Sequence, residues 1–507
     1  MTNETMCIPF PGFSEESKQK LSKIDRIRLT TSAKLDRKKR AKLGQFMTPG
    51  SVAKFMAGLF KNCKKKSAHL LDAGAGIGSL SSAFLERWIT GGFNFQKAFV
   101  TAFEVEPLFQ DQLTETLRQY TDKNFSYLVE PLDFIEDSTF LLGFGSGISF
   151  THAILNPPYK KISSNSPHRL MLRQVGVETV NLYSAFVALA LARLLPGGQL
   201  VAIIPRSFCN GPYYRSFRES ILREGALHHI HLFTARNKAF KDDGVLQENI
   251  IILLEKSGKQ GAVTISTSND DSSSDFSSFS CPFERVIIPN ESESFIHIPV
   301  SSDQTFDIFP DSVCYSLAAL DLKVSTGPVV DFRLKPHLLP MPVSGSVPLL
   351  YPCHFSGQKT EWPKSQSKKA NAIMLNAETK RWLMPNGFYA VVRRFSSKEE
   401  KRRIVASVVS PELFATNFLG FENHLNVFHR EKKGLSKEVI YGLTAFLNSS
   451  QVDVFFRRFS GHTQVNATDL RCLKYPSLLQ LKAIGQWAIS KGQFSQEEID
   501  EKISMLP

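Results

Sequence analysis

The chain has 507 residues, more than one hydrophobic core organises, so two or three domains are expected. Lys and Arg number 61 against 48 Asp and Glu, and the resulting +13 favours an anionic partner, with nucleic acid the plainest candidate. The seven cysteines are scattered and show no metal-ligand spacing, and neither a signal pattern nor a run of about 18 apolar residues is present, which points to an intracellular, cytoplasmic chain with free thiols, no metal and no membrane span.

Residues 1–42 read as a polar arm that becomes a basic, helical segment. Its end, Lys34-Leu35-Asp36-Arg37-Lys38-Lys39-Arg40-Ala41-Lys42, suits either a solvated helix face or phosphate contact. Leu43-Gly44-Gln45-Phe46-Met47-Thr48-Pro49 follows, then Val52, Phe55, Met56, Leu59 and Phe60 at helical spacing, with Thr48 placed to cap that helix and Pro49 at its first position. His69-Leu70-Leu71 then runs as a strand into Asp72-Ala73-Gly74-Ala75-Gly76-Ile77-Gly78, where glycines let a backbone approach a ligand at a helix N-terminus. The spacing G-x-G-x-G leans away from the dinucleotide pattern G-x-G-x-x-G.

A second strand over 98–103 ends at Glu104-Val105, where an acidic side chain suits a ribose diol. A third leads to Asp133-Phe134, which places an acceptor and an aromatic ring near an adenine edge. The fourth ends in Asn156-Pro157-Pro158-Tyr159. Each proline fixes its own φ, and Pro158 holds Pro157 extended. The Asn156 side-chain oxygen and the Pro157 carbonyl can then both point as acceptors into one pocket beside an aromatic face. That suits a planar group bearing NH2, such as a base that has left its duplex and stacks on Tyr159.

An apolar helix over 181–191, a stop at Leu195-Pro196-Gly197-Gly198 and strands over 199–205 and 245–254 continue the alternation. The whole stretch from 67 to 255 predicts an α/β, doubly wound, Rossmann-like sheet. Residues 256–284 are polar and serine-rich, as in a linker or mobile loop. Residues 285–507 read as an irregular α+β domain whose basic clusters carry Arg393, Arg394, Arg457 and Arg458, with His462 and Gln464 close behind.

The order of these motifs resembles that of S-adenosylmethionine-dependent DNA adenine-N6 methyltransferases of the gamma arrangement. It is most similar to modification methylases of type II restriction systems, in particular the PstI/BsuBI group. The likeness implies a catalytic domain over 43–255 and a target-recognition domain over 285–507. It implies that Thr48, Asp72, Ala73, Gly74, Gly76 and Gly78 hold the methionine part of S-adenosylmethionine. Glu104 would bind its ribose, with Val105, Asp133 and Phe134 around its adenine. Asn156 and Pro157 would accept from the target N6, Tyr159 would stack on the flipped base, Phe186 would line the same pocket, and Phe240 would supply the opposite stacking face. Arg393, Arg394, Arg457, Arg458, His462 and Gln464 would meet the DNA.

The implied substrate is double-stranded DNA at CTGCAG. A cognate endonuclease would share that site without direct contact, and a monomer suffices. Cytosine-N4 methylation normally goes with Ser at the position of Asn156. Protein glutamine-N5 methylation uses the same Asn-Pro-Pro-Tyr logic but leaves the basic C-terminal half without a role. A non-catalytic DNA-binding module leaves the glycine loop, Glu104 and Asp133 unexplained, and no carboxylate–lysine cluster of a nuclease stands out.

Overall fold

Strand β1 (Ser67–Ala73) sends alternate side chains to opposite faces of a sheet, as a strand with period two must. Leu70 enters one apolar core and Leu71 the other, and Ile154 and Leu155 of β4 (Phe150–Leu155) divide in the same way. Strands buried on both faces read as continuous apolar runs because helices cover each side. One face is covered by α1 (Glu15–Lys34), α2 (Gly50–Leu59), α3 (Ser79–Ile89) and α4 (Pro107–Arg118), which contribute Leu21, Val52, Phe84 and Leu113. The other is covered by α5 (Phe134–Gly143), α6 (Pro167–Gln174), α7 (Leu182–Arg193) and α8 (Arg215–Glu224), through Ile135, Leu172, Leu189 and Phe217.

These features belong to a computed structural model that describes residues 14–34, 46–233, 248–269, 275–300, 309–357 and 359–507. The remaining strands of the first sheet are β2 (Lys97–Phe103), β3 (Phe125–Glu130), β5 (Leu194–Pro205), β6 (Gly225–Phe233), β7 (Asn249–Lys256), β8 (Val263–Ser268) and β9 (Ser277–Cys281). They lie in the order β3-β2-β1-β4-β5-β7-β6-β8-β9. β1 pairs in parallel with both β2 and β4, so the order reverses between β1 and β4, and a doubly wound sheet opens its ligand crevice at that point. β7 runs antiparallel to β5 and β6.

Two expectations about boundaries change. The chain falls into two compact units that divide at residues 305 and 306, not near 256 or 285. The serine-rich stretch taken for a linker instead supplies β8 and β9, which extend the sheet beyond β6. Its polarity is misleading because the serines have partners inside: Ser266 Oγ meets His229 Nε2 at 2.7 Å and His231 Nδ1 at 2.8 Å. Within the N-terminal arm, residues 15–34 form the expected helix, which packs on the first core with Leu21 and Ile24 buried, while 35–42 lie outside the described residues. Among the described residues no helix is long and apolar enough to cross a membrane.

The second unit is α+β. One sheet has the order β10-β20-β17-β18, formed by Lys323–Thr326, Leu425–His429, Tyr389–Arg393 and Ala406–Val409. A second has the order β11-β15-β12-β19-β16, formed by Leu338–Leu339, Ala372–Met374, Ser346–Leu350, Phe418–Phe421 and Met384–Pro385. β13 (Phe355–Ser356) and β14 (Lys359–Thr360) make a short hairpin. Helices α9 (Lys437–Leu447) and α10 (Leu478–Lys491) pack through glycines. A Cβ on Gly442 would lie 1.8 Å from the Leu481 carbonyl oxygen, and one on Gly485 would lie 1.8 Å from that of Glu438.

Alanine raises helix propensity over glycine by about 1 kcal/mol, but here the methyl meets backbone that cannot rotate away. Gly442→Ala is therefore expected to destabilise by roughly 1–3 kcal/mol or more, as overpacking does. Urea unfolding of the full chain checks this, and an unchanged or raised midpoint would contradict the close approach.

Candidate active site

A cavity of about 280 Å³ opens at the strand reversal. Its floor is the turn after β1. Gly74, Gly76 and Gly78 all have positive φ, at 75°, 57° and 87°, which side-chain-bearing residues rarely adopt. The Gly74 and Ala75 amides both donate to the Phe103 carbonyl at 2.9 Å, tying the turn to the end of β2. No atom lies within 4 Å of a Cβ placed on Gly76, so the backbone there faces open space.

Glu104 follows β2 and is buried. It accepts from the Gly76 amide at 2.8 Å through Oε2 and from the Glu106 amide at 2.9 Å through Oε1. Desolvation raises its pKa, and the amides that donate to it oppose that rise. Each carboxylate oxygen keeps a further lone pair.

Asp133 caps α5: Oδ1 accepts from the Ile135 amide at 2.8 Å and the Glu136 amide at 3.1 Å. Its Oδ2 faces His168 Nε2 at 3.2 Å. Burial alone pushes this carboxyl up, but the His168 ring and the two amides bring it below its ordinary value. The His168 ring is raised in turn, chiefly by its hydrogen bond to Asp133.

Asn156 stands at the end of β4 on the cavity wall. Its Nδ2 donates to the Phe46 carbonyl at 2.8 Å and to Thr48 Oγ1 at 2.9 Å. Both amide hydrogens are thereby used, so the amide has one orientation and Oδ1 is the atom presented outward. The single hydroxyl hydrogen of Tyr159 is shared between Oδ1 at 3.2 Å and the Ile203 carbonyl at 3.3 Å. Its ring packs 5.6 Å from that of Phe46 and 6.1 Å from that of Tyr183.

The cavity lining brings together Thr48, Gly74, Gly76, Glu104, Val105, Asp133, Phe134, Asn156 and Phe186 of the predicted residues. Asp72, Ala73, Gly78, Pro157 and Tyr159 do not line it. Asp72 lies under the turn, where Oδ2 accepts from Ser81 Oγ at 2.6 Å, and burial pushes the carboxyl up to about 7. Ala73 is buried in a core. Gly78 serves packing, because a Cβ there would come 2.9 Å from Leu113 Cδ1. Thr48 makes no capping bond; the N-cap of α2 is Pro49, and the Thr48 hydroxyl is turned to Asn156. Phe240 lies outside the described residues.

The basic residues expected at DNA have internal partners. Arg393 pairs with Glu400 at 3.0 Å, and Arg394 donates to the Asn423 carbonyl at 3.2 Å. Arg457 holds Asp453 at 2.6 Å and the Lys398 and Glu400 carbonyls at 2.7 and 2.8 Å. Arg458 is buried, the His462 carbonyl accepts from Arg403, and Gln464 bridges to Phe395. Sequence reasoning missed His168, in the first turn of α6, and the Phe46 carbonyl, since neither a lone histidine nor a main-chain acceptor leaves a signal in residue type.

The donor set fits S-adenosylmethionine. Exposed Val105 and Leu132, with buried Phe134 and Phe186, provide apolar walls, while Glu104 and Asp133 provide acceptors beside open glycine backbone. Residues 21–240 match the family described as Eco57I restriction-modification methylase. The type II methyltransferase M.BsuBI of Bacillus subtilis is 52% identical over 96% of this chain and 98% of its own length. M.PstI of Providencia stuartii is 41% identical over 95% of this chain and 96% of its own. A cryoEM structure of a DrdV–DNA complex is 12% identical, covering 93% of this chain and 60% of that one, with a TM-score of 0.49. The chain belongs to the type II methyltransferases of restriction-modification systems, enzymes that use S-adenosylmethionine.

Proposed function

We propose that this enzyme methylates N6 of an adenine flipped out of duplex DNA, at CTGCAG, and so protects that DNA from the cognate endonuclease. The observation that carries the chemistry is the locked Asn156 amide, whose Oδ1 is presented as an acceptor at the end of β4. The site assignment rests on resemblance to the PstI/BsuBI group, supported by identity that extends through the second unit.

The adenine N6 lone pair is delocalised into the ring and is a poor nucleophile. Accepting its two N–H bonds at Asn156 Oδ1 and the Pro157 carbonyl favours a pyramidal nitrogen with a directed lone pair. S-adenosylmethionine supplies an electrophilic methyl on a sulfonium that departs as a thioether. The new N6–carbon bond forms in line, and N6 then loses a proton to solvent. Positioning and electrostatics suffice for such a displacement. Tyr159 and Phe186 stack around the base, and Phe240 is proposed for its far face.

Methyl transfer from labelled cofactor to unmethylated DNA, followed by nucleoside analysis and restriction protection, tests this reading. N6-methyladenine with protection at CTGCAG is expected. Protection at another sequence would discard the site, and label in a protein fraction instead of DNA would favour glutamine methylation.

Asn156→Ala is expected to slow transfer by about 10²–10³-fold, the usual cost of one preorganised polar group, with cofactor and DNA binding retained. Thr48→Val keeps the shape but frees the amide to turn, so the turnover rate is expected to fall roughly ten-fold or more, within the range that small misplacements cost. Lost cofactor affinity without lost turnover would assign Thr48 to the cofactor alone.

Asp133 gives Oδ1 to its helix, so an adenine amino group can use only Oδ2, which His168 occupies. Displacing His168 returns its raised pKa towards the ordinary 6.5 and releases a proton. Cofactor affinity is therefore expected to increase with pH between 6.5 and the raised value, with Glu136 and Lys160 as the other charges facing the ring. Calorimetry across that window checks this, with His168→Asn expected to be flat. A flat wild-type profile would mean that ring and cofactor share Asp133.

A further inference from the structure

The second unit carries a surface unlike its internally paired arginine clusters. β11 and β15 pair antiparallel, with Leu338 opposite Ile373 and Leu339 opposite Ala372. One-turn helices flank them: Asp331–Arg333 and Lys335–His337 before β11, and Lys380–Trp382 after β15. His337 meets Glu378 at 3.1 Å and the Asn376 amide at 3.3 Å, and the Leu375 amide donates to the Gly345 carbonyl at 3.0 Å. Three loops, 331–337, 341–345 and 375–382, are thus held side by side.

These loops expose large apolar groups. Phe332 is 63% exposed, Val343 54% and Trp382 37%, with Met341 and Leu375 also in solvent. Single exposed apolar residues are ordinary, but five on adjoining loops form a patch of the kind that marks a contact site. The Arg333 guanidinium lies 5.6 Å from the ring of Phe332, and that of Arg381 lies 5.2 Å from the ring of Trp382.

Charge selects the partner. Among the described residues Arg333, Lys335, Lys380 and Arg381 have no carboxylate partner. The acids of the same loops are committed, Asp331 to Lys369 at 3.0 Å and Glu378 to His337. Lys380 lies 5.5 Å from the ring of Phe418, and an apolar, aromatic surface whose cations have no carboxylate partner suits a polyanion that also offers methyl groups and flat faces.

We propose that this surface reads base sequence in duplex DNA. Arg333 and Arg381 present planar forks matched to guanine O6 and N7, and Lys335 and Lys380 meet phosphates. Trp382 and Phe332 are the wedges or methyl contacts between them. The inference rests on the DNA-methylating reading above and adds the residues that determine its specificity.

The test selects bound sequences from a duplex library randomised across the site, using the full-length enzyme, and measures affinity for selected and scrambled duplexes over a range of salt. Arg333→Ala and Arg381→Ala are expected to weaken the selected duplex about 5- to 150-fold, relax one position of the site and leave scrambled binding near wild type. Arg381→Lys keeps the charge but loses the fork, so it is expected to lose discrimination with the salt slope unchanged. Lys335→Ala and Lys380→Ala are expected to weaken both duplexes alike and lower the slope by about one each. An unchanged urea-unfolding midpoint of the second unit shows that each variant is folded. A wild type that selects a site while the arginine variants select it equally well overturns the proposal but leaves the DNA reading standing. A wild type that binds no duplex overturns both, and binding of an acidic protein by the same patch would then explain its charge.

Discussion

The Asn156 amide depends on a segment more than a hundred residues earlier in the chain, and the rest of the site is arranged around that dependence. A primary amide has two hydrogens, and both are used by Phe46 and Thr48. With either partner missing, the group could turn by a half rotation and present a donor where it now presents an acceptor. The strand end sets where the amide stands, and the segment before α2 sets which atom it shows. This explains why Thr48 leaves the capping of α2 to Pro49: its oxygen lone pair has a partner across the sheet.

Two carboxylates of the cavity wall hold the local chain and also face the open space. Glu104 binds the glycine turn through one oxygen and its own following chain through the other. Asp133 likewise begins a helix with one oxygen and faces the cavity with the other. Backbone amides offset part of the cost of burying these charges, against the desolvation that raises Glu104, and with His168 they bring Asp133 below its ordinary value. Asp72, which has only Ser81 to bond, is the contrasting case: its pKa is pushed up to about 7.

Much of the first unit was legible because its signals are local. Apolar runs closed by glycine turns or by Asn-Pro-Pro mark strand ends, and a doubly wound sheet places those ends along one crevice. Non-local facts were not legible. The segment with Ser266 and Ser268 has the composition of a linker, and only the histidines of β6 make its hydroxyls suitable for a sheet interior. Arg393, Arg394 and Arg457 look like a basic surface until Glu400, Asp453 and several carbonyls are found against them, and Arg458 is buried. Phe332-Arg333 and Arg381-Trp382 attract little notice in the sequence, yet short turns place them in solvent. Residue type announces a charge; packing decides whether that charge is available.

Tyr159 shows how the two readings of one motif combine. Its hydroxyl already donates to Asn156 Oδ1, which at first sight obstructs the acceptor. A carbonyl oxygen has two lone pairs, however, and one remains for an incoming N–H. The Ile203 carbonyl, which shares that one hydrogen, and the flanking rings of Phe46 and Tyr183 hold the tyrosine in place. The polar groups of this wall are therefore oriented before any ligand arrives, the condition under which electrostatic stabilisation gains most. The ordering cost is met in folding, by contacts that join α2, β4 and β5 into one wall.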